Sequence, residues 1–114
     1  MKIKIDTKSE KLKRIVEELI QELDSRFGNS IQSVILFGSY ARGEDKRESD
    51  IDVLIVGDIS LDEVLQVTYP IFLKHRIYIS PVVMDENHFE MLKIENSGFI
   101  ENVLKDGVVL YGRA

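Results

Sequence analysis

The sequence predicts an α+β domain in which a mixed β-sheet is covered mainly on one face by helices. Amphipathic stretches, with apolar residues at three- and four-residue steps, mix with short branched apolar runs in the order helix, strand, strand, helix, strand, two helices, strand. Two of the strands follow one another with no helix between them, which a strictly alternating, doubly wound parallel sheet does not do. The 114 residues contain no repeat, low-complexity tract or linker, so residues 1–114 are expected to form a single domain around one core.

Thr7 and Glu10 have the Thr-x-x-Glu spacing of a capping box. Leu12, Ile15, Val16, Leu19, Ile20, Leu23 and Phe27 then mark the apolar face of a first helix, which Gly28 closes. Ile31 to Phe37 (IQSVILF) reads as a largely buried strand ending at Gly38-Ser39. Eight of the ten residues in Tyr40 to Ser49 (YARGEDKRES) are polar, charged or glycine, so this stretch is expected to be a surface loop with one helical turn at its start. Ile51 to Val56 is the second strand. Ser60 and Glu63 repeat the capping-box spacing ahead of Leu61, Val64, Leu65 and Ile71, and Pro70 is expected to kink or split that helix because it has no backbone donor.

Ile77 to Met84 is the third strand, and Pro81 within it points to an edge position or a bulge. Asp85 can cap a helix through Leu92, and Ser97 one that carries Phe99, Ile100, Val103 and Leu104. Gly107 ends the last helix before the final strand, Val108 to Tyr111.

Hydrophobic residues make up 44% and charged residues 31%, the composition of a globular chain rather than a disordered or fibrous one. Cysteine is absent, which excludes disulfides, thiolate metal sites, thiol nucleophiles and iron–sulfur clusters. The net charge of −5 argues against a surface that coats duplex DNA but leaves room for a local phosphate pocket. No run is long enough for a membrane span and MKIKIDTKSEK lacks the apolar core of a signal peptide, so a cytoplasmic protein is expected.

The chemistry concentrates in Gly38 to Asp52, GSYARGEDKRESDID. A glycine directly after a buried strand lets backbone amides approach a ligand, and the Ser39 hydroxyl can donate to a phosphate oxygen. A turn begun by Tyr40 to Arg42 aims its leading amides the same way, and Arg42 can add a charge-assisted contact. Asp50 and Asp52 stand two apart at a strand entry, so their side chains leave one face with Cα atoms roughly 6.5 Å apart. Carboxylates so placed repel unless a cation sits between them, and hard oxygen ligands of this kind suit Mg²⁺ or Mn²⁺ shared with substrate phosphates and water. Ile51, Val53 and Ile55 point the other way, into the core.

Gly38-Ser39, ten intervening residues and Asp50-x-Asp52 resemble the GS-x10-DxD signature of the DNA polymerase β-like nucleotidyltransferases, and the short chain looks like their minimal (MNT) branch. Ala41-Arg42-Gly43 and Ser49 match the usual surroundings of that signature, and the order of elements is similar along nearly the whole chain. The resemblance implies the polymerase β palm-like fold. It implies that Gly38 and Ser39 hold the β and γ phosphates of ATP or another nucleoside triphosphate, that Asp50 and Asp52 bind Mg²⁺ and act in catalysis, and that Arg42 steadies the triphosphate. A nucleoside monophosphate would pass to an acceptor hydroxyl with release of pyrophosphate. The minimal branch also resembles antitoxins whose partner is a helical HEPN ribonuclease, some of which place AMP on a partner tyrosine, so a HEPN-type toxin is the expected protein partner.

One departure stands out. The family usually adds a third carboxylate from a neighbouring strand, and RIYISPVVM (Arg76 to Met84) has none: Ser80 and Pro81 fill that region. Asp85 would lie about 16 Å beyond Ser80 along an extended strand and reads as a helix cap. Glu44, Glu48 and Asp58 are alternative carboxylates, and nucleotide binding without transfer is the competing reading. The two histidines, His75 and His88, carry no metal spacing. Phe89, Met91, Leu92, Phe99 and Ile100 read as packing against the sheet. Acidic residues interleave with Arg42, Lys46 and Arg47, so no extended nucleic-acid surface is expected.

Overall fold

The computed structural model describes residues 10–42 and 50–112. Its elements are α1 (Glu10–Phe27), a 3₁₀ turn (Gly28–Ser30), β1 (Ile31–Phe37), β2 (Ile51–Gly57), α2 (Leu61–His75), β3 (Ile79–Met84), α3 (Glu86–Ile94), α4 (Gly98–Asp106) and β4 (Val108–Gly112). The order is the one the apolar periodicity predicts. Thr7, and with it the proposed first capping box, lies outside the described residues.

The four strands form one mixed sheet in the order β3-β2-β1-β4. β1 runs antiparallel to both β2 and β4, while β2 and β3 are parallel and joined through α2. Pro81 accordingly sits on an edge strand, where its missing N–H leaves no central ladder broken.

Side-chain alternation sorts the strands' apolar residues between two layers. Val34, Leu36, Ile51, Val53 and Ile55 pack with Leu12, Val16 and Leu19 of α1 and Val64 and Ile71 of α2. Ile35, Leu54 and Val56 face the other way, against Phe89 of α3 and Ile100 and Val103 of α4. The first face carries the larger cover, helices of 18 and 15 residues against two of nine, in agreement with the α+β expectation. Leu54 and Phe89 are fully buried, and truncating either to alanine should cost about 3 to 5 kcal/mol.

Local sequence explains the helix ends. The Ser60 hydroxyl accepts from Glu63 N–H at 3.1 Å and the Glu63 carboxylate accepts from Ser60 N–H at 3.0 Å, a complete capping box. Asp85 caps α3 by accepting from His88 N–H at 2.7 Å. Ser97 precedes α4 but its side chain makes no capping bond.

Four expectations are corrected. Pro70 neither splits nor ends α2, which runs unbroken to His75; Gln66 and Pro70 are both exposed, so water can satisfy the carbonyl that loses its partner. β3 begins at Ile79 rather than Ile77, because the left-handed cap residue Arg76 (φ 61°) first turns the chain out of α2. Tyr40 is not loop surface but a buried member of the core under α1. Met91 is exposed rather than packed, and Phe99 packs only in part, its ring set on Phe37 of β1 with 38% of its surface left exposed, since a nine-residue helix can turn only part of its circumference toward the sheet.

α1 and α2 are tied at the surface as well. Glu18 accepts from Lys74 Nζ at 3.0 Å and lies 3.2 Å from His75 Nε2. Burial pushes the Glu18 carboxyl up, but the bonds from Lys74 and His75 outweigh it and hold the group below its usual value. Among the described residues no helix is long and apolar enough to cross a membrane.

Candidate functional site

The β1–β2 pair brings the two halves of the sequence motif together. β1 ends at Phe37, whose Cα partner across the ladder is Asp52, and Gly38 follows at once. Gly38 adopts φ +77°, a conformation open to glycine at little cost. A side chain there would overlap the Asp52 carboxylate, with a Cβ meeting Oδ2 and lying 3.1 Å from Cγ. Glycine is therefore required twice, by the turn and by the carboxylate seated against it.

After Gly38 the chain closes one tight turn. Arg42 N–H is shared between the carbonyls of Gly38 and Ser39, at 3.3 and 3.2 Å. The amides at the start of such a turn are the backbone element that binds anions. Buried Tyr40 and half-buried Ala41 pack against the α1 side of the core and hold the turn down. The turn is thus fixed from below while Arg42 remains at the surface. Residues 43–49, including Gly43, Glu44, Glu48, Ser49 and the basic Lys46 and Arg47, lie outside the described residues.

Asp50 is exposed and Asp52 half-buried at the entry to β2. Ile51 between them is fully buried in the opposite layer, and its N–H donates to the Tyr78 carbonyl at 2.9 Å. That bond fixes the strand entry, and alternation then puts both carboxylates on the α3/α4 side. Burial raises the Asp52 carboxyl above its usual value, the Asp50 charge raises it further, and the Arg42 guanidinium pulls it back.

The two aspartates fit a hard divalent ion. They offer oxygen donors only, they repel one another, and they border an amide-bearing turn suited to phosphate. Among the described residues no group of three or more His, Asp or Glu side chains gathers.

On the other side of Asp52 the register partner is Ser80 of β3, so the position nearest Asp52 on the neighbouring strand holds a hydroxyl, not a carboxylate. Asp85 caps α3 at the far end of β3, as its spacing predicts. Asp58 also lies past the far end of β2 and cannot reach Asp52. Sequence reasoning missed Phe37 as a wall of the site. The rings of Phe37 and Phe99 meet edge to face with centroids 5.4 Å apart, beside Asp52. The position of Phe37 directly before the Gly-Ser turn was visible in the sequence, but its pairing with α4 was not.

Comparison with known proteins places the fold in a family. Residues 16–110 match the nucleotidyltransferase domain family. A relative from Methanocaldococcus jannaschii, named "Putative protein adenylyltransferase MJ0604", is 42% identical over 98 residues, covering 86% of this chain and 96% of the relative. Among solved structures, a toxin–antitoxin crystallised with AMP-PNP superposes with a TM-score of 0.60 at 20% identity, over 86% of this chain and 73% of that one. A Shewanella oneidensis complex of a tri-AMPylated HEPN toxin with its MNT antitoxin gives 0.51 at 17% identity, over 89% and 72%. At those identities the two structures speak to the fold alone, whereas the family match spans most of the chain. This chain belongs to the nucleotidyltransferase domain family.

Proposed function

We propose that the chain transfers AMP from ATP to a hydroxyl of a partner protein, with Mg²⁺ or Mn²⁺ as cofactor. The observation that carries this reading is the seating of Gly38 against the Asp52 carboxylate, which joins an anion-binding turn to a cation-binding pair. Gly38 and Ser39 hold the β and γ phosphates through backbone amides and the Ser39 hydroxyl, and Arg42 neutralises the tail from the surface. Asp50 and Asp52 are the metal-binding and catalytic carboxylates. When bound there, the cation neutralises charge at the phosphate undergoing substitution. The chain's own share is positioning: an acceptor oxygen in line with the α-phosphate and pyrophosphate retained by the turn as it leaves.

A protein acceptor is favoured by the relative named as a protein adenylyltransferase. A HEPN-type toxin is the partner we propose, by likeness to the toxin–antitoxin complexes. Residues 1–114 are read as one minimal transferase domain. No extended nucleic-acid surface is part of the proposal.

A second reading has its own observation. With Ser80 in register beside Asp52, no carboxylate of β3 stands ready to take the acceptor's proton, which favours a subunit that binds nucleotide and partner without transfer. Incubation with ATP labelled at the α-phosphate, Mg²⁺ and the protein encoded by the adjacent reading frame separates the two. Label on that protein, lost with Asp50→Asn, supports transfer, whereas a tight unlabelled complex supports binding alone.

A further inference from the structure

Among the described residues, the aromatic pair beside Asp52 is a feature that the proposed transferase site leaves unused. Phe37 is the cross-strand partner of Asp52 on the face that bears α3 and α4. Phe99, in the first turn of α4, sets its ring against Phe37 with centroids 5.4 Å apart and planes at 89°. Phe99 keeps 38% of its surface exposed although Ile100 beside it is buried, so the ring lies half in the core and half in solvent. Phe99 is therefore one ring contact away from the residue that stands across the ladder from Asp52.

The two sides of Asp52 differ in kind. Toward β1 lies the aromatic pair, and toward β3 lies Ser80 on a strand that is the sheet's edge among the described residues. A macromolecular acceptor needs the open edge, while a flat base gains from an aromatic face, which stacks on any base and best on the larger purines.

We infer that Phe99, propped by Phe37, is the stacking platform for the nucleobase and gives the site a preference for purine nucleotides. This rests on the triphosphate reading of the Gly38 turn, so the test separates base from phosphate. Binding of ATP, CTP and inorganic tripolyphosphate is measured by calorimetry in Mg²⁺ for the unaltered chain, Phe99→Ala, Phe99→Leu and Phe99→Tyr. Phe99→Leu keeps apolar bulk without a π face and guards against loss of fold, which melting curves monitor. The expected result is ATP weakened about tenfold in Phe99→Ala and Phe99→Leu, restored in Phe99→Tyr, with ATP's advantage over CTP lost and tripolyphosphate affinity unchanged. ATP affinity unaltered in Phe99→Ala, or ATP and tripolyphosphate weakened equally, overturns the platform while sparing the phosphate site. Failure of tripolyphosphate and ATP alike to bind the unaltered chain overturns both.

Discussion

Replacing Gly38 by alanine tests the contact on which the site is built. Two costs are expected. Holding a non-glycine residue at φ +77° costs about 1 to 2 kcal/mol. The new methyl group also overlaps the Asp52 carboxylate, which must rotate away from its seat, at about 0.5 to 1.5 kcal/mol for an off-rotamer side chain. Together, about 2 to 3 kcal/mol lowers the melting temperature by about 8 to 12 °C in a chain of this size. Displacing this carboxylate from the proposed cation site should also cost binding, so Mg²⁺-dependent ATP affinity should fall at least tenfold. Gly112→Ala is the matched control. It too has positive φ (+69°), and its Cβ would meet the Gln32 backbone carbonyl, far from Asp52. That variant should lose at least as much stability and keep its ATP affinity per folded molecule. In an Asp52→Ala background the overlap with the carboxylate is gone and the backbone strain remains with a 3.3 Å contact to the Cβ of residue 52, so Gly38→Ala should cost about 1 kcal/mol less there. Thermal melts and calorimetric titrations supply every number. A Gly38→Ala protein that binds Mg²⁺ and ATP like the parent would refute the reasoning, however much stability it had lost.

Asp52→Asn should separate stability from function. The folded carboxyl is raised above 3.8 by burial and by Asp50, so the fold disfavours the ionised form, and that penalty is present at neutral pH and relieved as pH falls through the folded value. The neutral amide should raise the melting temperature by about 4 °C, for about 1 kcal/mol of relieved repulsion, while abolishing Mg²⁺-dependent nucleotide binding. A lower melting temperature would show that the carboxylate stabilises the fold. Glu18 has the opposite sign: held below 4.5, it contributes stability that is present above that value and lost as pH falls through the folded one. Glu18→Gln should therefore cost about 0.5 kcal/mol at pH 7, and the gap to the parent should close in melts below pH 4.5; a gap that persists there argues against the Lys74 and His75 pairing. Ser80→Asp, which places a carboxylate in register beside Asp52, should raise the rate of label transfer to the partner at saturating Mg²⁺. An unchanged rate would mean that proton removal at the acceptor is not limiting.

Much of this protein is written in short-range pattern. The periods of 3.6 and 2 follow from the backbone alone, so α1, β1 and β4 are recoverable from spacing, as are the Ser60–Glu63 and Asp85 caps, because each involves atoms three residues apart. Pro81 marks an edge strand for an equally local reason. The spacing of Gly38-Ser39 and Asp50-x-Asp52 carries the resemblance to the nucleotidyltransferases, the family that residues 16–110 match. Tertiary structure alone decided what depends on register and burial. Pairing Phe37 with Asp52 seats Gly38 on the carboxylate, pairing Asp52 with Ser80 sets a hydroxyl in register beside it, and the crossing of α4 over β1 brings Phe99 against Phe37. Tyr40 went into the core and Met91 out of it because burial is a property of the whole packed layer. Residues far apart in the chain meet only when the sheet has set their register, and a one-residue slip would turn every one of these side chains to the other face.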